Sequence, residues 1–155
     1  MLLQFSVENY RSFKERSVLS LEASADKELP DNTVPYGKDK ILKIAALFGA
    51  NASGKSNIFK ALTAAIMLVR LSNERQVGDL LSQVDPFAFD DETRVKPCSF
   101  EFVFVKGGTK YVYGFSATTE KIVREYLYAY YSPRATTIFE REEKDGKDIY
   151  KFTSA

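Results

Sequence analysis

Two glycines five residues apart, the second followed by lysine and serine, constrain this chain more than any other feature of its sequence. They fit the pattern G-x-x-x-x-G-K-[ST] without a gap. The eight residues are Gly49, Ala50, Asn51, Ala52, Ser53, Gly54, Lys55 and Ser56. In this pattern the glycines let the backbone N–H groups approach phosphate oxygens closely. Lysine can bridge the β- and γ-phosphates, and the serine hydroxyl can coordinate magnesium. The motif therefore predicts a loop that binds ATP and Mg²⁺, with Ser56 as the metal ligand.

The residues on either side of this loop predict a strand before it and a helix after it. Residues 41–48, ILKIAALF, form a mostly continuous apolar run, which is typical of a strand buried on both faces of a parallel sheet. After the loop, Ile58, Leu62, Ala65 and Val69 recur at helical spacing. We expect a helix from about residue 56 to 71, with the partial positive charge of its N-terminus directed at the phosphates.

The rest of the chain is predicted to be mainly antiparallel β-structure. Apolar residues alternate with polar ones near the N-terminus and again in the last third of the chain, as in half-buried strands. The polar residues 23–40 are predicted to be a long loop, and residues 73–84 a second helix. Predicted strands are 3–7, 18–21, 99–105, 111–116, 122–131, 136–141 and 148–152. The predicted fold is α/β, an incomplete P-loop NTPase core with an antiparallel β subdomain, divided into a ribbon (1–22), the loop strand and helix (41–72) and the subdomain (97–153).

Composition excludes several kinds of chemistry. The 155 residues include 22 basic and 21 acidic ones, and the net charge of +1 does not indicate nucleic acid as a partner. There is no histidine, and Cys98 is the single cysteine, so zinc sites and histidine-based nucleophilic catalysis are excluded. Cys98 lies in an apolar strand pattern and is predicted to be a buried structural thiol. No segment resembles a signal peptide or a membrane span, and we expect the protein to be cytoplasmic.

A cluster of tyrosines near the C-terminal end allows two interpretations. Tyr126, Tyr128, Tyr130 and Tyr131 could stack on nucleic acid bases, or they could form a sheet face that packs on a core. No basic residue interleaves them in the sequence, which favours the core.

The residues in and around the loop resemble a known class of ATPase. The run GANASGKSNIFKAL is similar to the loop of ATP-binding heads of the structural-maintenance-of-chromosomes and RecF class, notably at Asn51 and at Ser56-Asn57-Ile58. The N-terminal VENYRSF also resembles the opening of those heads, a variant of N-F-R-S-F. The similarity includes bacterial ABC-like "AAA family" ATPases associated with phage defence, such as relatives of the overcoming-lysogenization-defect nucleases. Ala52 stands where chromosome-maintenance heads commonly have glycine.

This resemblance carries expectations about the site and its partners. It implies that Arg11 reaches the bound nucleotide, and it adds Asn57 to the nucleotide-binding residues. It also implies a homodimer in which ATP lies between two subunits, and a nucleotide state that controls an effector protein or DNA.

Two parts of such heads have no counterpart in the sequence. An apolar strand ending in Asp-Glu and a Ser-Gly-Gly signature loop are both absent. Asp90 and Asp91 follow too short an apolar run, and Gln76 and Gln83 are candidates for orienting water. We expect the missing parts beyond residue 155 and no appreciable hydrolysis by residues 1–155 alone. The alternative is a non-catalytic nucleotide-binding or protein-interaction module.

Overall fold

A single antiparallel sheet of seven strands dominates the computed structural model, which describes residues 1–25, 28–76 and 78–153. The sheet order is β2-β1-β5-β6-β7-β8-β9, and β3 and β4 form a separate hairpin. The strands are β1 (Leu2–Glu8), β2 (Ser17–Ser20), β3 (Thr33–Tyr36), β4 (Asp39–Leu42), β5 (Cys98–Lys106), β6 (Thr109–Ala117), β7 (Ile122–Tyr130), β8 (Thr136–Lys144) and β9 (Lys147–Phe152). The α-helices are α1 (Lys55–Arg70) and the short α2 (Asp91–Arg94).

The first strand joins the two β-rich parts of the chain. β1 pairs with β2 on one side and with β5 on the other, so that Phe5 lies opposite Phe102 and Val7 opposite Phe100. The predicted strands at 3–7 and in the last third of the chain are confirmed. The predicted ribbon and the β subdomain therefore share one sheet, a pairing that local sequence patterns could not reveal.

The core lies between α1 and one face of this sheet. Small residues of the helix, Ala61 and Ala65, are fully buried and let the helix approach the aromatic side chains of the strands. Phe5, Phe100 and Phe115 form the opposite wall. The predicted helix is confirmed, one residue earlier than expected at each end. It has 16 residues, and no helix in the described part of the chain is long and apolar enough to cross a membrane.

Cys98 belongs to this core, as predicted from its strand pattern. Its side chain is completely buried, and burial raises the pKa of the thiol to about 12. A thiol in such surroundings behaves as a small apolar side chain.

The predicted parallel strand at 41–48 is wrong beyond its first two residues. Residues 41 and 42 end β4, which pairs antiparallel with β3, and residues 43–48 belong to no strand. Ile44 is 73% exposed and Phe48 is 92% exposed. A two-sided apolar strand forms only between neighbouring strands, and within the described residues none lies beside this run.

The predicted loop at 23–40 and the predicted helix at 73–84 also need correction. Residues 33–42 form the β3–β4 hairpin, which the prolines and charged residues of this region concealed. Ile41 anchors the hairpin because its side chain is buried. Between residues 72 and 84 the described residues contain a single 3₁₀ turn, Ser72–Glu74. Asp26 and Lys27 of the first region and Val77 of the second lie outside the described residues.

The tyrosines of β7 do not face the core, contrary to the favoured interpretation. Tyr126 lies opposite Gly114 in the sheet, on the face away from α1, whereas Tyr113 and Phe115 of the same strand pair point towards the helix side. Basic side chains reach the tyrosine rings from other positions: Arg124 lies 5.1 Å from the centre of the Tyr126 ring. The tyrosine hydroxyls donate to carboxylates, Tyr126 to Glu101 at 2.6 Å. These acceptors offset the positive charge, so the face is not a basic platform for nucleic acid.

Candidate nucleotide-binding site

The loop at residues 49–56 has the backbone of a tight phosphate-binding turn. Gly54 has a φ of 88° and Ala52 one of 61°, both left-handed. Space at Gly54 is also tight, since a Cβ there would lie 3.1 Å from the Ser12 hydroxyl oxygen, which would have to move by a few tenths of an ångström. Ala52 adopts this conformation at the cost that left-handed backbone carries for any residue with a Cβ. That conformation explains why glycine is the common residue at position 52 in the resembling heads.

Lys55 is folded over its own loop. Its Nζ donates to the carbonyl oxygen of Gly49 at 2.7 Å and also to the carbonyl oxygen of Ala50. The Ser53 hydroxyl lies 3.4 Å from the same nitrogen. The ammonium group therefore sits at the centre of the turn, held by neutral acceptors that an anion can replace.

The start of α1 supplies further donors at the same place. The helix begins at Lys55, and the first backbone N–H groups of any α-helix lack intrahelical partners. Ser56 lies in this first turn and is exposed. Ala50, Asn51, Ala52 and Ser53 are exposed as well, so the whole loop is accessible to a ligand. The structure thus brings the eight predicted loop residues together on one surface.

Asn57 does not face outward from the loop. Its Nδ2 donates to the Ser12 hydroxyl oxygen at 2.9 Å, across to the N-terminal turn at residues 9–14. Ser12 was not singled out from the sequence, although it follows Arg11 directly within the Y-R-S-F resemblance. Its contact with Asn57 depends on how the turn packs and has no local sequence signal.

Arg11, the other residue of this turn with an expected role, is engaged with Asp85. The Arg11 backbone N–H donates to the Asp85 carbonyl at 2.8 Å, and Nε lies 3.1 Å from a carboxylate oxygen of Asp85. The side-chain contact is an ion pair without the alignment of a hydrogen bond. The guanidinium also lies 5.7 Å from the centre of the Tyr10 ring. Contact between Arg11 and a nucleotide stays a prediction.

An apolar cleft of about 240 Å³ adjoins the loop. Its apolar lining comes from Phe13, from Val18 and Leu19 of β2, and from Leu47, Phe48 and Ile58. Ser53, Gly54 and Lys55 of the loop line it as well. The cleft thus joins an apolar surface to the polar loop.

The remaining candidate residues make their polar contacts with other parts of the chain. Asp90 caps the N-terminus of α2 and pairs with Lys14, and this hydrogen bond lowers the pKa of the Asp90 carboxyl. The carboxylate of Asp91 is almost fully exposed beside Arg94. Gln83 accepts a hydrogen bond from Arg75 at 2.6 Å, and the Gln76 backbone is bound by Asp79. No cluster of three potential metal ligands occurs among the described residues.

Comparison with known proteins relates the part of the chain that contains the loop to one protein family. None of the curated proteins searched shows a significant match to the chain. A family model described as "AAA domain, putative AbiEii toxin, Type IV TA system" matches residues 44–152. The match begins in the exposed apolar run, includes the loop and α1, and ends in β9. The chain therefore belongs to this AAA-domain family, whose members are P-loop ATPases.

Proposed function

We propose that this chain binds Mg-ATP at residues 49–56 and forms the nucleotide-binding part of an ATPase head. The observation that carries the proposal is the convergence of Lys55 and the start of α1 on one exposed, left-handed turn. A turn with backbone donors, a helix N-terminus and a central ammonium group is suited to a polyphosphate.

The residues of the loop have separate roles in this proposal. Lys55 leaves the carbonyl oxygens of Gly49 and Ala50 and meets the β- and γ-phosphates, exchanging neutral acceptors for charged ones. Ser56 presents its hydroxyl to the metal from the first turn of the helix. Ser56 would hold magnesium there, and the metal would supply positive charge to neutralise the phosphates. Backbone groups for the phosphates come from Asn51, Ala52, Ser53 and Gly54. Gly54 has a left-handed backbone and no side chain, so these backbone groups stay accessible.

The apolar cleft is the proposed site of the adenine base. It adjoins Lys55, and its walls of Phe13, Val18 and Phe48 offer flat or branched apolar surface to an aromatic ring system. A triphosphate on the loop would leave its base within reach of these walls.

The exposed run at 43–48 supports the proposal that the nucleotide-binding core includes further strands. Among the described residues, no backbone hydrogen bond is made by the N–H groups of residues 45–48. On the outer face of α1, the side chains of Phe59 and Ile66 are 54% and 41% exposed, although the apolar side chains of a helix normally face a partner element. Parallel strands beside residues 43–48 would supply partners for these N–H groups and cover the exposed apolar side chains of α1. In the resembling heads such strands carry the Asp-Glu pair, and the signature loop comes from a second subunit. We propose the same ATP-dependent homodimer here, with Arg11 and Asn57 at the nucleotide, controlling an effector in phage defence or DNA maintenance.

Calorimetric titration of the full-length protein with Mg-ATP tests the binding step. Lys55→Ala should weaken the affinity at least about tenfold, because a charge-assisted contact of roughly 1.5–3 kcal/mol is removed. Lys60→Ala, an exposed lysine on the same helix, is the matched control and should bind like wild type. Equal affinity in wild type and Lys55→Ala would refute the assignment of the loop. Binding without any turnover in the full-length protein would select the non-catalytic module instead.

A further inference from the structure

The N-terminal turn at residues 9–14 is fixed firmly to the body of the protein. Asn9 is buried and left-handed, with a φ of 51°. Its Nδ2 donates to the carbonyl oxygens of Thr93 and Lys96 at 2.8 and 2.9 Å, and its Oδ1 accepts from the backbone N–H of Phe87. A buried amide with this many partners holds one orientation.

The tip of the turn is closed as tightly as its base. Tyr10 and Phe13 exchange two backbone hydrogen bonds, at 2.9 and 2.8 Å, across Arg11 and Ser12. Ser12 therefore has a fixed position, although its side chain is exposed to solvent.

The turn approaches the nucleotide loop and the first turn of α1 at Ser12 and Phe13. The Ser12 hydroxyl oxygen accepts from Asn57 Nδ2 at 2.9 Å and lies 3.1 Å from the position of a Cβ on Gly54. Phe13 approaches the same position at 4.0 Å. The loop itself is exposed, and the N–H groups of residues 45–48 before it make no backbone hydrogen bond among the described residues. The hydrogen bond between Asn57 and Ser12 thus links this fixed turn to the first turn of α1.

From this geometry we infer that Ser12 and Asn57 form a latch that positions the nucleotide loop, and that Ser12 is a positioning residue for ATP binding. The inference rests on the proposed function. Ser12 acts through Asn57 and Gly54 and does not touch the nucleotide. With the latch closed, the loop N–H groups are held in place before ATP arrives, so that less conformational entropy is lost on binding. The interaction also gives Gly54 a second constraint, because a side chain there would displace the Ser12 hydroxyl.

Calorimetry with Mg-ATP on the full-length protein tests the latch through Ser12→Ala, Asn57→Ala and the double variant. Ser12→Ala should weaken the affinity about three- to tenfold, the equivalent of one ordinary hydrogen bond, and Asn57→Ala at least as much. The double variant should bind no more weakly than Asn57→Ala, because Ser12 acts only through the bond that this variant already removes. Ser12→Thr keeps the hydroxyl and should restore most of the affinity. Ser132→Ala, an exposed serine in the β7–β8 connection, is the control.

Two measurements without nucleotide separate positioning from a structural role. The melting temperature of the apo protein should be unchanged by Ser12→Ala, whereas its Gly54 amide and Asn57 side-chain amide NMR signals should shift. Unshifted signals, or additive losses in the double variant, would overturn the latch. Wild-type protein that does not bind Mg-ATP would overturn the proposed function and the positioning role with it. Wild-type binding with normal affinity in Ser12→Ala would overturn the latch alone.

Discussion

Substitution of Gly114, in the middle of β6, is predicted to destabilise the protein because the ring of Tyr126 lies directly over this residue. A Cβ at this position would lie 2.3 Å from both Oη and Cζ of Tyr126 and 2.8 Å from Cε1. No real Cβ tolerates such distances, so Gly114→Ala must drive the ring away. Tyr126 would then lose its hydrogen bond to Glu101, 2.6 Å long, and its stacking on Tyr128, with ring centres 5.0 Å apart.

These losses set the size of the effect. A hydrogen bond to a charged group contributes about 1.5–3 kcal/mol, and an aromatic pair about 0.5–1.5 kcal/mol. In the opposite direction, replacing a strand glycine by alanine stabilises the folded state by about 0.5–1 kcal/mol, because alanine loses less backbone entropy on folding. Because the Glu101 carboxylate is one-fifth exposed and keeps its ion pair with Arg16, the lower ends of these ranges apply. We expect Gly114→Ala to lower the free energy of unfolding by about 1–1.5 kcal/mol.

Urea denaturation followed by circular dichroism measures this change, since the chain has no tryptophan. Tyr126→Ala removes the obstructing ring and serves as the matched background. In that background Gly114→Ala should be neutral or slightly stabilising. An equal loss in both backgrounds, or a wild-type midpoint for Gly114→Ala alone, would refute the steric explanation.

Two further predictions concern single residues. Arg11→Ala should reduce the rise in melting temperature caused by Mg-ATP. The melting temperature of the apo protein should stay nearly unchanged, because the Arg11–Asp85 ion pair is half exposed and contributes little to stability. Equal ATP-induced shifts in the variant and the wild type would remove Arg11 from the site. Cys98 should resist a thiol-specific disulfide reagent in the native protein and react fully in urea, because it is buried and burial raises its pKa to about 12, so that the reactive thiolate is scarce at neutral pH; rapid labelling of the native protein would contradict its place in the core.

The parts of the site that depend on local chemistry could be predicted from the sequence. The motif specified the loop from Gly49 to Ser56, and helical periodicity located α1 to within one residue at each end. The apolar run at 41–48 was predicted to be a buried strand because a continuous apolar run is typical of a strand that has neighbours on both sides. The sequence of the run does not show whether those neighbours are present. The β3–β4 hairpin was missed because Pro35 lies within a strand, where proline is tolerated only at edges and hairpins.

Contacts between distant segments had no local signal. The Ser12–Asn57 bond joins residues 45 positions apart, and the Arg11–Asp85 pair is more distant still. The tyrosines of β7 were assigned to the core because no basic residue interleaves them in the sequence. In the sheet, the neighbour of Tyr130 is Lys110, whose ammonium lies 4.4 Å from the ring centre.

The pairing of β1 with β5 has a consequence for how the protein folds. Strands β5 to β9 each pair with the next strand in the chain, so this part of the sheet can form from local hairpins. β1 instead pairs with a strand that begins at residue 98, and this contact closes a loop of about ninety residues, with an entropy cost that grows with the logarithm of loop length. The nucleotide loop and α1 both lie inside it. We therefore expect the hairpins of β5 to β9 to form early, and the nucleotide loop to become ordered only in the slower step in which the N-terminal strand docks.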